Sequence, residues 1–287
     1  MSERVSFLGM GIMGRAMAPH ILEAGYELTV YNRNAEKTRE IASKGAHVAA
    51  TPEDAAKSGD VLICMLTGPE ALEEVVFGEQ GLSSADLQGK IIVNMSSVAP
   101  AYNLQLASRL EETGAAFVEA PVSGSKKPAE EGNLVILAGG EDKVLEELEP
   151  LFLAVGKKVI RCGPVGQGAM MKMAINILLG TFIEGLAEML NFGEKGGLSR
   201  DKLLDVVLAG PLSCDLFRMK EEMLRNEEYP VQFPLKHMAK DLKFAVDTAF
   251  ENGSTMPTAH TIMQFYRRAV ELGFGDDDFS AVGEALR

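Results

Sequence analysis

Lys172 and Asn176 stand four residues apart in a run whose apolar residues recur at helical spacing, so both side chains fall on one face. A lysine in that setting suits the reduction of a carbonyl. As hydride reaches the carbonyl carbon, negative charge builds on the oxygen. A positioned ammonium stabilises that charge and then gives up a proton. Such a lysine works best where burial and neighbours bring its pKa down toward the working pH. Asn176 is expected to orient either the lysine or the substrate. The run follows Gly163-Pro-Val-Gly166-Gln-Gly168, a loop rich in breakers that delivers the chain into the helix. A second polar pair, Ser123-Gly124, follows a predicted strand at its carboxyl end, where a hydroxyl and exposed N–H groups can hold a substrate carboxylate.

Hydride transfer needs a donor, and the N-terminal glycines point to one. Gly9-Met10-Gly11-Ile12-Met13-Gly14 follows a predicted strand and opens a predicted helix, which turns a weak pattern into a dinucleotide signal. Gly9 permits the tight turn, Gly11 lets a pyrophosphate approach the backbone, and Gly14 lets helix and strand pack closely. The helix N-terminus offers free N–H groups and partial positive charge to the phosphates. The next strand ends Thr29-Val-Tyr31-Asn32-Arg33-Asn34. An acidic residue there would bind a ribose 2′-OH and repel a 2′-phosphate. This chain has Asn32 and then Arg33, whose guanidinium forks onto phosphate oxygens. The expected cofactor is NADPH/NADP+. Met65 and Leu66, at another strand end, are expected to contact it through backbone and apolar atoms, and Lys37 reads as a surface charge.

The elements that must position these residues are legible in the first 160 positions. Val/Ile/Leu-rich runs at 5–8, 27–31, 61–66, 90–94, 115–119, 134–138 and 158–161 read as strands covered on both faces. Helical patterns at 12–24, 35–44, 52–57, 69–76, 100–113 and 143–155 lie between them. The alternation predicts an α/β fold with a Rossmann-type doubly wound, mainly parallel sheet. From Ala169 to about residue 195 runs a long helix, apolar on most sides and so expected to be buried or to lie between domains. Beyond it only helical segments appear, broken at Gly196-Gly197, Gly210-Pro211 and Asn252-Gly253. The expected organisation is a nucleotide domain at 1–163, a connecting helix at 164–195 and a small all-α domain at 196–287.

Together these stretches resemble the β-hydroxyacid dehydrogenase family. The glycine loop extends as Gly9-Met-Gly-Ile-Met-Gly-Arg-Ala-Met-Ala18. Glu119-Ala-Pro-Val-Ser123-Gly124-Ser125 is similar to the family's substrate segment. The stretch from Gly163 to Asn176 is similar to its catalytic segment, and Lys240-Asp241-Leu242 to its C-terminal one. Within the family, Gly124-Ser-Lys126-Lys127-Pro-Ala-Glu-Glu-Gly132 and Phe233-Pro-Leu-Lys-His237 look most like the glyoxylate/succinic semialdehyde reductases. Many relatives have a second glycine where Ser125 stands, followed here by two lysines.

The resemblance implies that Lys172 and Asn176 are catalytic and that Ser97 and Lys240 lie near the nicotinamide. It also implies that Ser123, Gly124, Phe233 and Asp241 serve the substrate. Asp241 could orient Lys172 or Lys240. Phe233 could wall the pocket or pack the interior. Lys126 and Lys127 could hold a distal carboxylate or stand in solvent. The implied reaction is NADPH-dependent reduction of short aldehyde-acids: succinic semialdehyde to 4-hydroxybutyrate, glyoxylate to glycolate. The rival readings are a 3-hydroxyisobutyrate-type dehydrogenase working oxidatively and a non-catalytic NADP-binding interaction module.

Composition narrows the partners. Apolar residues are 46% and charged residues 24%, ordinary globular usage. Twenty-eight basic against 41 acidic residues give a net charge of −13, which argues against nucleic acid or an anionic membrane as partner. Cys64, Cys162 and Cys214 form no CxxC pair and suit a reducing compartment. His20, His47, His237 and His260 lack metal-ligand spacing, so no metal is expected. The N-terminus has no basic segment before an apolar core, and the apolar stretch at 173–183 is short of the ~20 residues of a membrane span. A cytoplasmic enzyme, assembled as a homodimer or homotetramer to cover the apolar helix, is the expectation.

Overall fold

The computed structural model describes residues 4–287, so the reading of the first three residues as the lead into a mature strand lies outside it. The chain divides into two compact units between Lys172 and Met173.

The first unit is built on one sheet. Its strands are β1 (Arg4–Leu8), β2 (Glu27–Tyr31), β3 (His47–Val48), β4 (Val61–Cys64), β5 (Ile91–Asn94), β6 (Ala116–Glu119), β7 (Val122–Ser123), β8 (Leu134–Gly139) and β9 (Gly156–Gly163). The helices among them are α1 (Ile12–Glu23), α2 (Arg39–Ser43), α3 (Pro52–Ser58), α4 (Pro69–Phe77), α5 (Pro100–Glu111), α6 (Lys126–Glu130) and α7 (Asp142–Val155). The strand order β3-β2-β1-β4-β5-β6 is that of a doubly wound dinucleotide fold, and every neighbouring pair in it is parallel. Strands this apolar form because alternate residues feed opposite cores. Val5, Phe7, Val61, Ile63, Ile91 and Val93 face one layer. Leu8, Leu62, Cys64 and Ile92 face the other.

Three details depart from the sequence reading. The two-residue strands β3 and β7 and the short α6 are too brief to show a period. β8 runs antiparallel to β6 and β7, while β9 returns parallel to β8. The segment predicted as one helix at 35–44 begins as a 3-10 turn over Ala35–Thr38. Asn34 Oδ1 accepts the Glu36 N–H there at 3.0 Å, and α2 follows.

α8 (Gln167–Lys195) starts in the first unit and continues into the second, joined there by α9 (Arg200–Ala209), α10 (Asp215–Asn226), α11 (Leu235–Asn252) and α12 (Pro257–Glu271). Ile183 and Ala187 enter a core with Leu235, Met238, Ile262 and Tyr266. α8, expected to be buried or to lie between domains and to need a second copy to cover it, is buried within the chain on part of its surface only. Met171, Ile175, Leu178 and Phe182 form a stripe that is 38–51% exposed. By length and composition α8 could cross a bilayer, with a mean hydropathy of 1.5 over its most apolar window. Its opposite face nevertheless buries polar Asn176 and Glu184 in protein.

Glu184 is 5% exposed, and its Oε1 has no hydrogen-bond partner among the described residues. Burial, and then the nearby Glu188 charge, pushes its carboxyl from 4.5 up to about 7. The unfolded chain ionises this group near pH 4.5, whereas the folded chain keeps the proton until about 7. Stability is therefore fully present below pH 4.5, falls as pH rises to about 7, and is flat above. Glu184→Gln should leave stability unchanged at pH 4 and raise it by about 3 kcal/mol at pH 8. Urea midpoints at the two pH values check this, and a variant less stable at pH 8 would refute it.

Candidate active site

The glycine loop meets the demands read from its sequence. Gly9 has φ +111°, and a Cβ there would lie 2.2 Å from the Met65 carbonyl oxygen. A Cβ on Gly14 would lie 2.0 Å from the Gly9 carbonyl oxygen, so α1 can close on β1 only with glycine at that position. A Cβ on Gly11 would meet no atom within 4 Å. That open ground lies beside the first turn of α1, which has no side-chain cap. Ile12 and Met13 stand in that turn, half-buried, with N–H groups of the kind that bind phosphate. The loop thus fits a dinucleotide's pyrophosphate.

Met10 and Asn32 are placed differently from the other loop residues. Met10 is fully buried, and its N–H donates to Asn32 Oδ1 at 2.9 Å. Asn32 Nδ2 donates to the Asn34 carbonyl at 2.9 Å. The Asn32 amide therefore braces the loop, with both of its ends engaged by backbone. Arg33 is exposed just past β2 and has no ion-pair partner among the described residues. Met65 and Leu66 are half-buried after β4.

A buried polar chain runs from this strand end. The Leu66 N–H donates to Ser96 Oγ at 2.9 Å, and the Ser96 N–H donates to Asn94 Oδ1 at 3.0 Å. Asn94 Nδ2 donates to Asn103 Oδ1 at 2.8 Å, and Asn103 Nδ2 donates to Glu119 Oε2. Glu119 Oε1 accepts the N–H groups of Gly168 (2.7 Å) and Ala169 (3.2 Å), the first turn of α8. Burial pushes the Glu119 carboxyl up, and the donors around it pull it back. Sequence reasoning treated Glu119 as the end of a strand. The available signal was an acidic residue closing the apolar run Ala-Phe-Val.

Ser97 is half-buried beside Ser96, and Ser123 is half-buried at the end of β7. Gly124 has φ +129°, and a Cβ there would lie 2.7 Å from the Leu134 side chain. Lys126 stands at the start of α6, 3.6 Å from Glu130 and 47% exposed, and Lys127 beside it is exposed. Both lysines are thus solvent-facing. Lys172 is half-buried on α8, one turn past the Glu119 anchor.

In the second unit, Asn176 is 1% exposed and its Nδ2 donates to Asp241 Oδ2 at 2.7 Å. Lys240 Nζ lies 2.8 Å from Asp241 Oδ1 and 4.8 Å above the Phe244 ring. Asp241 therefore joins Asn176 to Lys240. Asn176 Oδ1 has no hydrogen-bond partner among the described residues and is available to a donor. Phe233 packs edge-on to Phe279 at 5.6 Å and stacks with His237 at 6.5 Å. The Phe233 N–H donates to Asp278 Oδ2 at 3.0 Å. Asp278 is itself buried 2.8 Å from buried Lys220. Burial, then the charge of Lys240, lowers the His237 pKa, so its ring is neutral at neutral pH. No group of three or more potential metal-binding side chains occurs among the described residues.

Sheet order, glycine loop and lysine helix define a nucleotide-dependent oxidoreductase. Residues 4–163 match a family profile described as the NAD binding domain of 6-phosphogluconate dehydrogenase. Residues 166–286 match one described as the NAD-binding of NADP-dependent 3-hydroxyisobutyrate dehydrogenase. The chain belongs to the β-hydroxyacid dehydrogenase family of NAD(P)-dependent oxidoreductases. It is 40% identical to glyoxylate/succinic semialdehyde reductase 1 of Arabidopsis thaliana, over 99% of this chain and 98% of that one. It is 32% identical to the cytokine-like nuclear factor N-PAC of Homo sapiens, of which it spans 51%. The crystal structure of a 3-hydroxyisobutyrate dehydrogenase from Salmonella typhimurium superposes with a TM-score of 0.89 at 25% identity, covering 98% of each chain.

Proposed function

We propose that the chain is an NADPH-dependent reductase of short aldehyde-acids, with succinic semialdehyde and glyoxylate as substrates and 4-hydroxybutyrate and glycolate as products. The observation that carries this reading is Lys172 on the early turns of α8, in the unit that holds the dinucleotide loop, with Asn176 one turn further along the same helix. The 40% identity to a reductase of that name supports it. The nicotinamide cofactor supplies hydride when bound. The first turn of α1 and Gly11 hold its pyrophosphate, Arg33 takes the 2′-phosphate, and Met65, Leu66, Ser97 and Lys240 contact the remainder. Ser123 and Gly124 hold the substrate carboxylate, and Phe233 walls the substrate. Lys172 stabilises the developing alkoxide and donates its Nζ proton to that oxygen. Asn176 orients the lysine through its open Oδ1, while Asp241 fixes the Asn176 amide and holds Lys240. We also assign the enzyme to the cytoplasm. The exposed stripe of α8 is covered in a homodimer or homotetramer, an area that one small chain leaves in water.

Two other readings each have an observation behind them. A 3-hydroxyisobutyrate-type dehydrogenase working oxidatively is favoured by the second family profile. A non-catalytic NADP-binding interaction module is favoured by the similarity to N-PAC. Retention of Lys172 sets the reductase above the module.

The deciding experiment compares kcat/KM for succinic semialdehyde, glyoxylate and butanal with NADPH, alongside 3-hydroxyisobutyrate with NADP+. Each extra buried methylene contributes ~0.8 kcal/mol, so succinic semialdehyde should exceed glyoxylate by roughly tenfold. Butanal should be poor, because it lacks the carboxylate that orients the reacting carbon. Equal turnover of butanal would remove the carboxylate clamp. Turnover of 3-hydroxyisobutyrate alone would favour the first rival, and no turnover at all the second.

A further inference from the structure

Glu119 is an expensive residue to keep where it is. It is fully buried, and water reaches neither of its oxygens. The carboxylate accepts the Gly168 and Ala169 N–H groups on Oε1 and Asn103 Nδ2 on Oε2. The fold also leaves room for it by omitting side chains. A Cβ on Gly139 would lie 2.6 Å from Oε1, and one on Gly168 would lie 3.1 Å from it. Gly168 is further constrained by the Leu137 carbonyl, 2.5 Å from where its Cβ would be, so the start of α8 is pressed onto β8. An anion at this place faces the positive end of the α8 dipole and satisfies N–H groups that a helix otherwise leaves open. From its other oxygen the Asn103–Asn94–Ser96 chain continues to the Leu66 N–H, at the strand end assigned to the cofactor.

We propose that Glu119 is a positioning residue for the reaction: it locks the first turn of α8 to the cofactor-side strand ends and so fixes where the Lys172 ammonium stands. This rests on the reading of Lys172 as the proton donor. A charge alone would not need the directional chain. Asn103 can serve Glu119 only while its Oδ1 is engaged by Asn94, so the whole chain holds one orientation.

The test is a double-mutant cycle in the full-length protein, with kcat at saturating succinic semialdehyde and NADPH affinity by fluorescence titration. Glu119→Gln keeps size but sets an amide against the Asn103 amide. It should lower kcat roughly tenfold or more, the scale of a misplaced catalytic group, with NADPH Kd within about twofold. In a Lys172→Ala background it should lower kcat no further. Adding Asn103→Asp to Glu119→Gln restores donor to acceptor along the chain. It should return kcat to within about threefold of the unmodified enzyme.

The proposal is overturned if Glu119→Gln leaves kcat unchanged, if it costs the same factor in both backgrounds, or if the paired exchange fails to restore kcat. Full activity of Lys172→Ala alone would instead strike the lysine reading, and the proposal with it. Should Glu119→Gln not fold, hydrogen exchange on the unmodified protein decides. Slow exchange at Gly168 and Ala169 supports the lock, and exchange as fast as at an uncapped helix end refutes it.

Discussion

Replacing Lys172 with alanine should cut kcat by at least ~100-fold, the usual scale for losing a general acid or an oxyanion donor. NADPH affinity should hardly change, because the pyrophosphate and 2′-phosphate contacts assigned above lie on α1 and beyond β2. Lys172→Met keeps the bulk of the side chain and removes its charge, and should be nearly as inactive. Steady-state kinetics with succinic semialdehyde, with circular dichroism to show folding, make the measurement. A folded variant that keeps more than half its activity would end the assignment and transfer it to Lys240. That lysine lies 2.8 Å from Asp241.

Arg33→Ala should weaken NADPH binding ~10- to 100-fold, the loss of one charge-assisted phosphate contact at roughly 1.5–3 kcal/mol. NADH binding should stay almost unchanged, since that cofactor presents only a hydroxyl at the same place. The unmodified chain should accordingly prefer NADPH. Fluorescence titration with both cofactors reads all four affinities. Equal affinity of the unmodified protein for the two would dispose of the 2′-phosphate contact. The Asn32 amide is already engaged at both ends by loop backbone, so the prediction is placed on Arg33.

The sheet was legible because most of its strands are long enough to carry a composition signal, and because a helix separates most of them from the next. Where that failed, the cause is local. His47–Val48 and Val122–Ser123 hold two residues each, fewer than any period requires. The antiparallel turn of β8 follows from the excursion through α6, and no pattern within β8 itself states a direction. The glycine loop was readable to the single residue, since each glycine answers a distinct steric demand. Asn32 was harder. A polar side chain after β2 can face a ribose or turn back on the loop, and only coordinates tell these apart. Glu119 was hidden for a related reason. Its partners Asn103 and Gly168 are 16 and 49 residues away, and single-sequence patterns carry no information on such pairs. The excess of apolar surface on α8 was legible, but apolarity alone does not say that Met171, Ile175, Leu178 and Phe182 are the residues left exposed.

The division of the chain after Lys172 cuts through the helix turn that carries Lys172 and Asn176, so the two residues belong to different compact units. The candidate proton donor stands in the same unit as the dinucleotide loop, on the body whose buried polar chain ends at the foot of its helix. Under the proposed assignment, substitutions around Phe233 should shift which acids are accepted, whereas substitutions at Asn176 or Asp241 should reach the chemistry itself.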